Sequence, residues 1–97
     1  MARNYRDLEV WRLSYDLSLS FYKLVEKFPK KESDNLISQI RRAASSVPVN
    51  IAEGCSRFSK NGFLQFLSYA YGSCKELEVL LMMSRDLGYI NIEDYNI

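Results

Sequence analysis

A chain of 97 residues with formal charge +1, four glycines and two prolines is bounded to one domain with a modest core, built from long helices rather than from many short strands and turns. It contains no histidine, which removes Ser/His and Cys/His nucleophile pairs and the commonest metal ligand, and it has no Gly-rich phosphate loop. An enzyme is therefore not expected, nor is a cofactor or a metal.

The longest apolar run, Val79-Leu80-Leu81-Met82-Met83, is far shorter than the ~20 residues of a membrane span. The start, MARNYRDLEV, carries charges where a signal peptide would be apolar. The expectation is a cytoplasmic protein without membrane contact. Cys55 and Cys74 belong to no CxxC pair and read as small buried thiols. Charge is unevenly spread: residues 1–26 balance to zero, 27–60 carry seven cations against three acids, and 61–97 carry two cations against five acids. The middle is basic and the end acidic.

In chain order, a first helix is predicted over about 7–28, with two apolar stripes on a 100° wheel. One holds Leu8, Trp11, Tyr15, Tyr22 and Val25; the other holds Val10, Leu13, Leu17, Phe21, Leu24 and Phe28. Together they cover more than half the circumference, more than packing on one side of a small bundle requires. The stripe with Trp11, Tyr15 and Tyr22 is assigned to another subunit, although aromatic rings at this spacing could also stack on bases. Pro29 ends the helix.

A second helix is predicted over about 32–56, its apolar face formed by Leu36, Ile37, Ile40, Ala43, Ala44, Val47, Ile51 and Cys55. Pro48 lies inside it, removing one hydrogen bond at a cost of ~3 kcal/mol in a helix interior. The apolar phase nevertheless continues across Pro48, which favours a continuous, kinked helix. Its polar flank, Gln39, Arg42, Ser46, Asn50 and Glu53, offers hydrogen bonds to a helix or to a subunit. Arg42 is expected to pair with an acid such as Glu53, Glu76 or Glu78, across helices or subunits.

Ser59 is the predicted N-cap of a third helix over about 59–87, with Leu67, Ala70, Cys74, Leu77 and Leu81 facing inward and Met82 and Met83 as core filling. Gly72 costs about 1 kcal/mol against Ala in a helix, so close packing on the small residues of the second helix is its expected reason. Gly88 reads as the residue after the helix end. Asn91-Ile92-Glu93-Asp94 reads as a fresh helix start at about 92.

Four stretches, YRDLEVW at 5–11, FPKKE at 28–32, QIRRAASSVPVNIAEG at 39–54 and YGSCKELEVLL at 71–81, resemble the bacterial four-helix-bundle family of 23S ribosomal RNA intervening-sequence proteins. The likeness covers nearly the whole chain. It implies an all-α, up-and-down antiparallel four-helix bundle, of which this chain begins only the fourth helix, and a ring-like homopentamer. The similarity extends to the accessory protein of diversity-generating retroelements, which implies a basic surface for RNA or DNA and a reverse transcriptase as partner.

The candidate nucleic-acid residues are Lys27, Lys30, Lys31, Arg41, Arg42, Arg57 and Lys60; the candidate subunit-interface residues are Trp11, Tyr15, Tyr22, Gln39, Arg42, Asn50 and Glu53. The function expected is a non-enzymatic homo-oligomeric adaptor. The alternative is a protein-only scaffold whose basic turns are merely solvated.

Overall fold

The computed structural model describes residues 4–91. Three α-helices account for most of them: α1 over Glu9–Leu24, α2 over Leu36–Cys55 and α3 over Lys60–Asp86. Single 3₁₀ turns cover Tyr5–Asp7, Val25–Lys27 and Lys30–Glu32, and there is no strand among the described residues. The helix start expected at about 92 lies outside them.

The boundaries follow from local chemistry. Pro29 holds an extended backbone and Phe28 before it is extended too, so the α-helix tightens into a 3₁₀ turn after Leu24 instead of running to 28. The charged Lys30–Glu32 stretch forms a second such turn, which delays α2 from the expected 32 to Leu36. α2 then passes through Pro48 without a break. Beside the proline, the Ser45 hydroxyl donates to the Arg42 carbonyl at 3.3 Å and the Asn50 amide donates to the Ser46 carbonyl at 2.8 Å.

The α2–α3 turn closes as expected: the Ser59 hydroxyl accepts from the Gly62 amide at 3.0 Å, satisfying one free donor of the first turn. At its far end α3 stops in a Schellman motif, in which the Gly88 amide donates to the Arg85 carbonyl and the Tyr89 amide to that of Ser84. Gly88 has φ +80°, which is why glycine suits this position.

Short connections make α1, α2 and α3 run antiparallel in turn, giving a body of 44 × 20 × 19 Å. α2 is the central element, and every residue of its predicted apolar face is buried. Two clusters stack along it. The larger joins Val25, Phe28, Leu36, Ile37, Ile40, Ala43, Ala44, Leu77, Leu80 and Ile90; the smaller joins Val47, Ile51 and Ala70, with Leu8, Trp11 and Leu67 packed against it.

The α2–α3 contact is close, and its glycine is not the expected one. Gly72 faces open space, so it does not serve helix packing within the chain. Gly54 does: a Cβ there would come within 3.1 Å of the Phe66 Cβ and 3.2 Å of the Phe63 carbonyl oxygen. Further along, the Ser46 hydroxyl accepts from the Ser73 hydroxyl at 2.8 Å and from the Asn50 amide at 2.9 Å. Small residues thus set this contact, as expected, but a hydroxyl pair and Gly54 do so rather than Gly72. Met82 and Met83, expected in the core, are 39% and 48% exposed because they lie beyond the arc of α3 that meets α2. Cys55 is buried, whereas Cys74 is exposed and corrects its assignment as a buried thiol.

The end of α3 is tied to the α1–α2 connection. The Tyr89 ring packs on Phe28 with centroids 5.4 Å apart, and its hydroxyl donates to Glu32 Oε2 at 2.7 Å. That hydrogen bond to Glu32, followed by burial and the negative charge of the same carboxylate, raises the phenol above its ordinary value.

A candidate assembly surface around the first helix

α1 rests on α2 along a narrow line. Ser18 and the adjoining Val25 are buried, while Leu8, Trp11, Ser14 and Phe21 are half-buried. This line runs between the two predicted stripes, so neither stripe alone faces the core. Val10, Leu13 and Leu17, from the stripe not assigned to a subunit contact, are 55%, 60% and 53% exposed. Trp11, assigned to a subunit contact, packs inside the chain against the Val47, Ile51 and Ala70 cluster. The geometric reason is that one helix can meet another along only a limited arc, whereas the apolar arc of α1 is far wider.

Two grooves result. On one side a trough of about 240 Å³ opens between α1 and α3 over α2, lined by Val10, Leu13, Leu17, Phe21, Cys74 and Leu77 among others. Cys74, although exposed, is partly covered at this edge, and that desolvation raises its thiol against a smaller lowering by Lys75. On the other side, a groove of about 370 Å³ lies between α1 and α2, with Trp11, Tyr15, Leu19 and Tyr22 along one wall and Pro48 and Val49 on the other. Trp11 and Tyr15 stack at 5.1 Å, and Tyr5 meets Trp11 edge-on at 4.9 Å. A guanidinium stands at each end, Arg6 over the Tyr5 ring at 4.7 Å and Arg41 over the Tyr22 ring at 5.6 Å.

The structure therefore brings Trp11, Tyr15 and Tyr22 into one groove, as one surface. It does not bring Gln39, Arg42 and Asn50 there, and Glu53 stands only at its margin, in a shallow depression with Val49, Ala52 and Ser56. Gln39 donates to Asn35 at 2.8 Å, Asn50 is bonded to Ser46, and Glu53 pairs with Arg57 at 3.6 Å. The expected Arg42–Glu53 pair is absent: Arg57, one helical turn beyond Glu53, takes that carboxylate, and among the described residues no acid lies within ion-pair distance of Arg42.

The cations likewise do not form one surface. Lys27, Lys30 and Lys31 flank the α1–α2 connection, and Arg57 and Lys60 flank the α2–α3 connection. The 20 residues of α2 separate these turns by about 30 Å at 1.5 Å per residue. Arg57 is further engaged over the Phe66 ring at 4.3 Å. Arg41 and Arg42 diverge, the first toward Tyr22 and α1, the second into solvent.

Sequence reasoning did not identify Tyr5, Arg6 and Pro48 as parts of the aromatic groove. The signal present was the phase of Pro48, Ala52 and Ser45, which share one flank of α2 on the wheel. Among the described residues no cluster of His, Cys, Asp or Glu could hold a metal, and no helix is long and apolar enough to cross a membrane.

These features define an all-helical module with its chemistry in surfaces: a two-helix hairpin of α2 and α3 carrying a first helix whose apolar flanks are both open. Its sequence matches the family described as 23S rRNA-intervening sequence protein over residues 6–97, and the chain belongs to that family. No curated protein gives a significant match to the chain.

Proposed function

We propose that this chain is a non-enzymatic, homo-oligomeric helical adaptor. The observation that carries the reading is the first helix. Val10, Leu13 and Leu17 on one flank and Tyr15, Leu19 and Tyr22 on the other all stand exposed, and contiguous apolar surface of this kind marks an interaction site. The two flanks take different occupants. The trough between α1 and α3 is the place of an antiparallel fourth helix in an up-and-down bundle. The chain leaves α3 beside it, with Ile90 buried in the cluster that holds Val25 and Phe28. The aromatic groove between α1 and α2 takes another copy.

A second component of the reading is nucleic-acid binding at one end of the molecule. Lys27, Lys30 and Lys31 are exposed, and among the described residues none has a carboxylate within ion-pair distance. In a closed ring, each copy would contribute this end to one rim, multiplying a charge that is weak in a single chain.

The test is size-exclusion chromatography with light scattering, alone and with short RNA and DNA duplexes at low and moderate salt. A multi-chain mass supports the adaptor, and a monomer at tens of micromolar overturns it. Salt-sensitive binding that Lys27→Glu, Lys30→Glu and Lys31→Glu abolish together supports the nucleic-acid component. An oligomer indifferent to nucleic acid leaves a protein-only scaffold.

A further inference from the structure

The aromatic groove shows which face of a second copy it suits. Its walls are rings and aliphatic groups without a carboxylate, and its ends are guanidinium groups, Arg6 on Tyr5 and Arg41 on Tyr22. Two grooves meeting face to face in antiparallel fashion would set Arg6 of each copy toward Arg41 of the other, a repulsive arrangement. A symmetric groove-to-groove dimer is therefore disfavoured. The occupant should instead be apolar, suited to aromatic rings, and negatively charged at its margin.

One face of the same chain has this chemistry, the side of α3 turned away from α2. Val79, Met82 and Met83 are 52%, 39% and 48% exposed there. On a 100° wheel they share an arc of about 120° with Glu76 and Asp86, and with Lys75. Thioether sulfur packs favourably against aromatic rings. Lys75 pairs with Glu78 at 3.4 Å and Arg85 with Asp86 at 2.9 Å. Glu76 has no cation within ion-pair distance among the described residues.

We infer that the outer face of α3, carrying Val79, Met82, Met83 and Glu76, docks into the aromatic groove between α1 and α2 of the next copy, with Glu76 set toward that copy's Arg41. This rests on the self-association proposed above and specifies its geometry. Groove and ridge lie on different parts of the chain, so the contact is head-to-tail and propagates until a ring closes or a filament grows.

Charge exchange tests it. Arg41→Glu and Glu76→Arg should each weaken assembly by about ten-fold or more, since each sets like charges together. The doubly exchanged variant should recover the wild-type mass. An equimolar mixture of the two single variants should also associate, because in alternating order each junction joins one Glu to one Arg; a ring with an odd number of copies keeps one like-charged junction, so the mixture should form alternating oligomers even where it does not regain the wild-type mass. Circular dichroism checks that each variant retains its helical content. If wild type is a monomer, the self-association reading fails and this inference with it. If wild type assembles while both single variants keep its mass, or if neither the double variant nor the mixture assembles, the assembly stands and the α3-to-groove contact is overturned.

Discussion

Gly54 and Gly72 make a paired experiment in which the same substitution should act in opposite directions. Exchanging Gly for Ala in a helix interior gains up to about 1 kcal/mol from backbone entropy. At Gly72 nothing lies within 4 Å of the new methyl group, so most of that gain should appear as stability. At Gly54 the methyl group meets the Phe66 Cβ at 3.1 Å and the Phe63 carbonyl oxygen at 3.2 Å. Both atoms are fixed to the α3 backbone, so no rotamer change relieves the contact and the helices must separate by a few tenths of an ångström. Overpacking of this kind costs about 1–3 kcal/mol. Gly54 also stands in the last turn of α2, where the entropic gain is smaller than in an interior. The expected net loss at Gly54→Ala is about 1 kcal/mol. For a domain of this size 1 kcal/mol moves Tm by roughly 4–8 °C, so the two variants should melt roughly 10 °C apart, on either side of wild type. Thermal and urea denaturation followed by circular dichroism would measure this. A Gly54→Ala protein as stable as the Gly72→Ala protein would refute the claim that Gly54 sets the α2–α3 approach.

Ile40 is 0% exposed at the centre of the larger cluster, so Ile40→Ala should cost about 2–5 kcal/mol in urea denaturation. Ser46→Ala removes an acceptor shared by Ser73 and Asn50 and should cost roughly 1–2 kcal/mol; Ser46→Ala with Ser73→Ala should cost less than the two single losses added, as a double-mutant cycle would report. Tyr89 holds its proton more tightly when folded because of Glu32. Its contribution to stability is therefore complete below the unfolded phenol value near 10 and lost as pH rises through the higher folded value. Tyr89→Phe should remove that share of the alkaline decline, read as the difference between the two proteins' pH profiles. An identical decline in both would show that the Tyr89–Glu32 bond carries none of it.

Much of the architecture was legible along the chain because helical periodicity is a local signal. The apolar face of α2 could be read completely, including its passage through Pro48, since the residues on either side keep one phase whatever they pack against. The Ser59 cap and the Gly88 stop were equally readable, because capping depends on residues within a few positions. Charge balance by segment was also available, but its spatial meaning was not. The basic middle of the chain contains two turns at opposite ends of α2, and only the path of the chain separates Lys30 from Arg57.

The sequence by itself determined that α1 has more apolar surface than one neighbour can cover; the tertiary structure alone decided which part is covered. That choice depends on the angle at which α1 leaves its 3₁₀ turn and crosses α2, a property of the assembled backbone. The crossing buries Ser18 and half-buries Trp11, and it leaves Leu13 and Tyr15 exposed on opposite flanks. The same reason separates Gly54 from Gly72. Each is a glycine on a helical wheel, but whether a methyl group would meet a neighbour depends on the distance between two helices, a quantity no single helix contains.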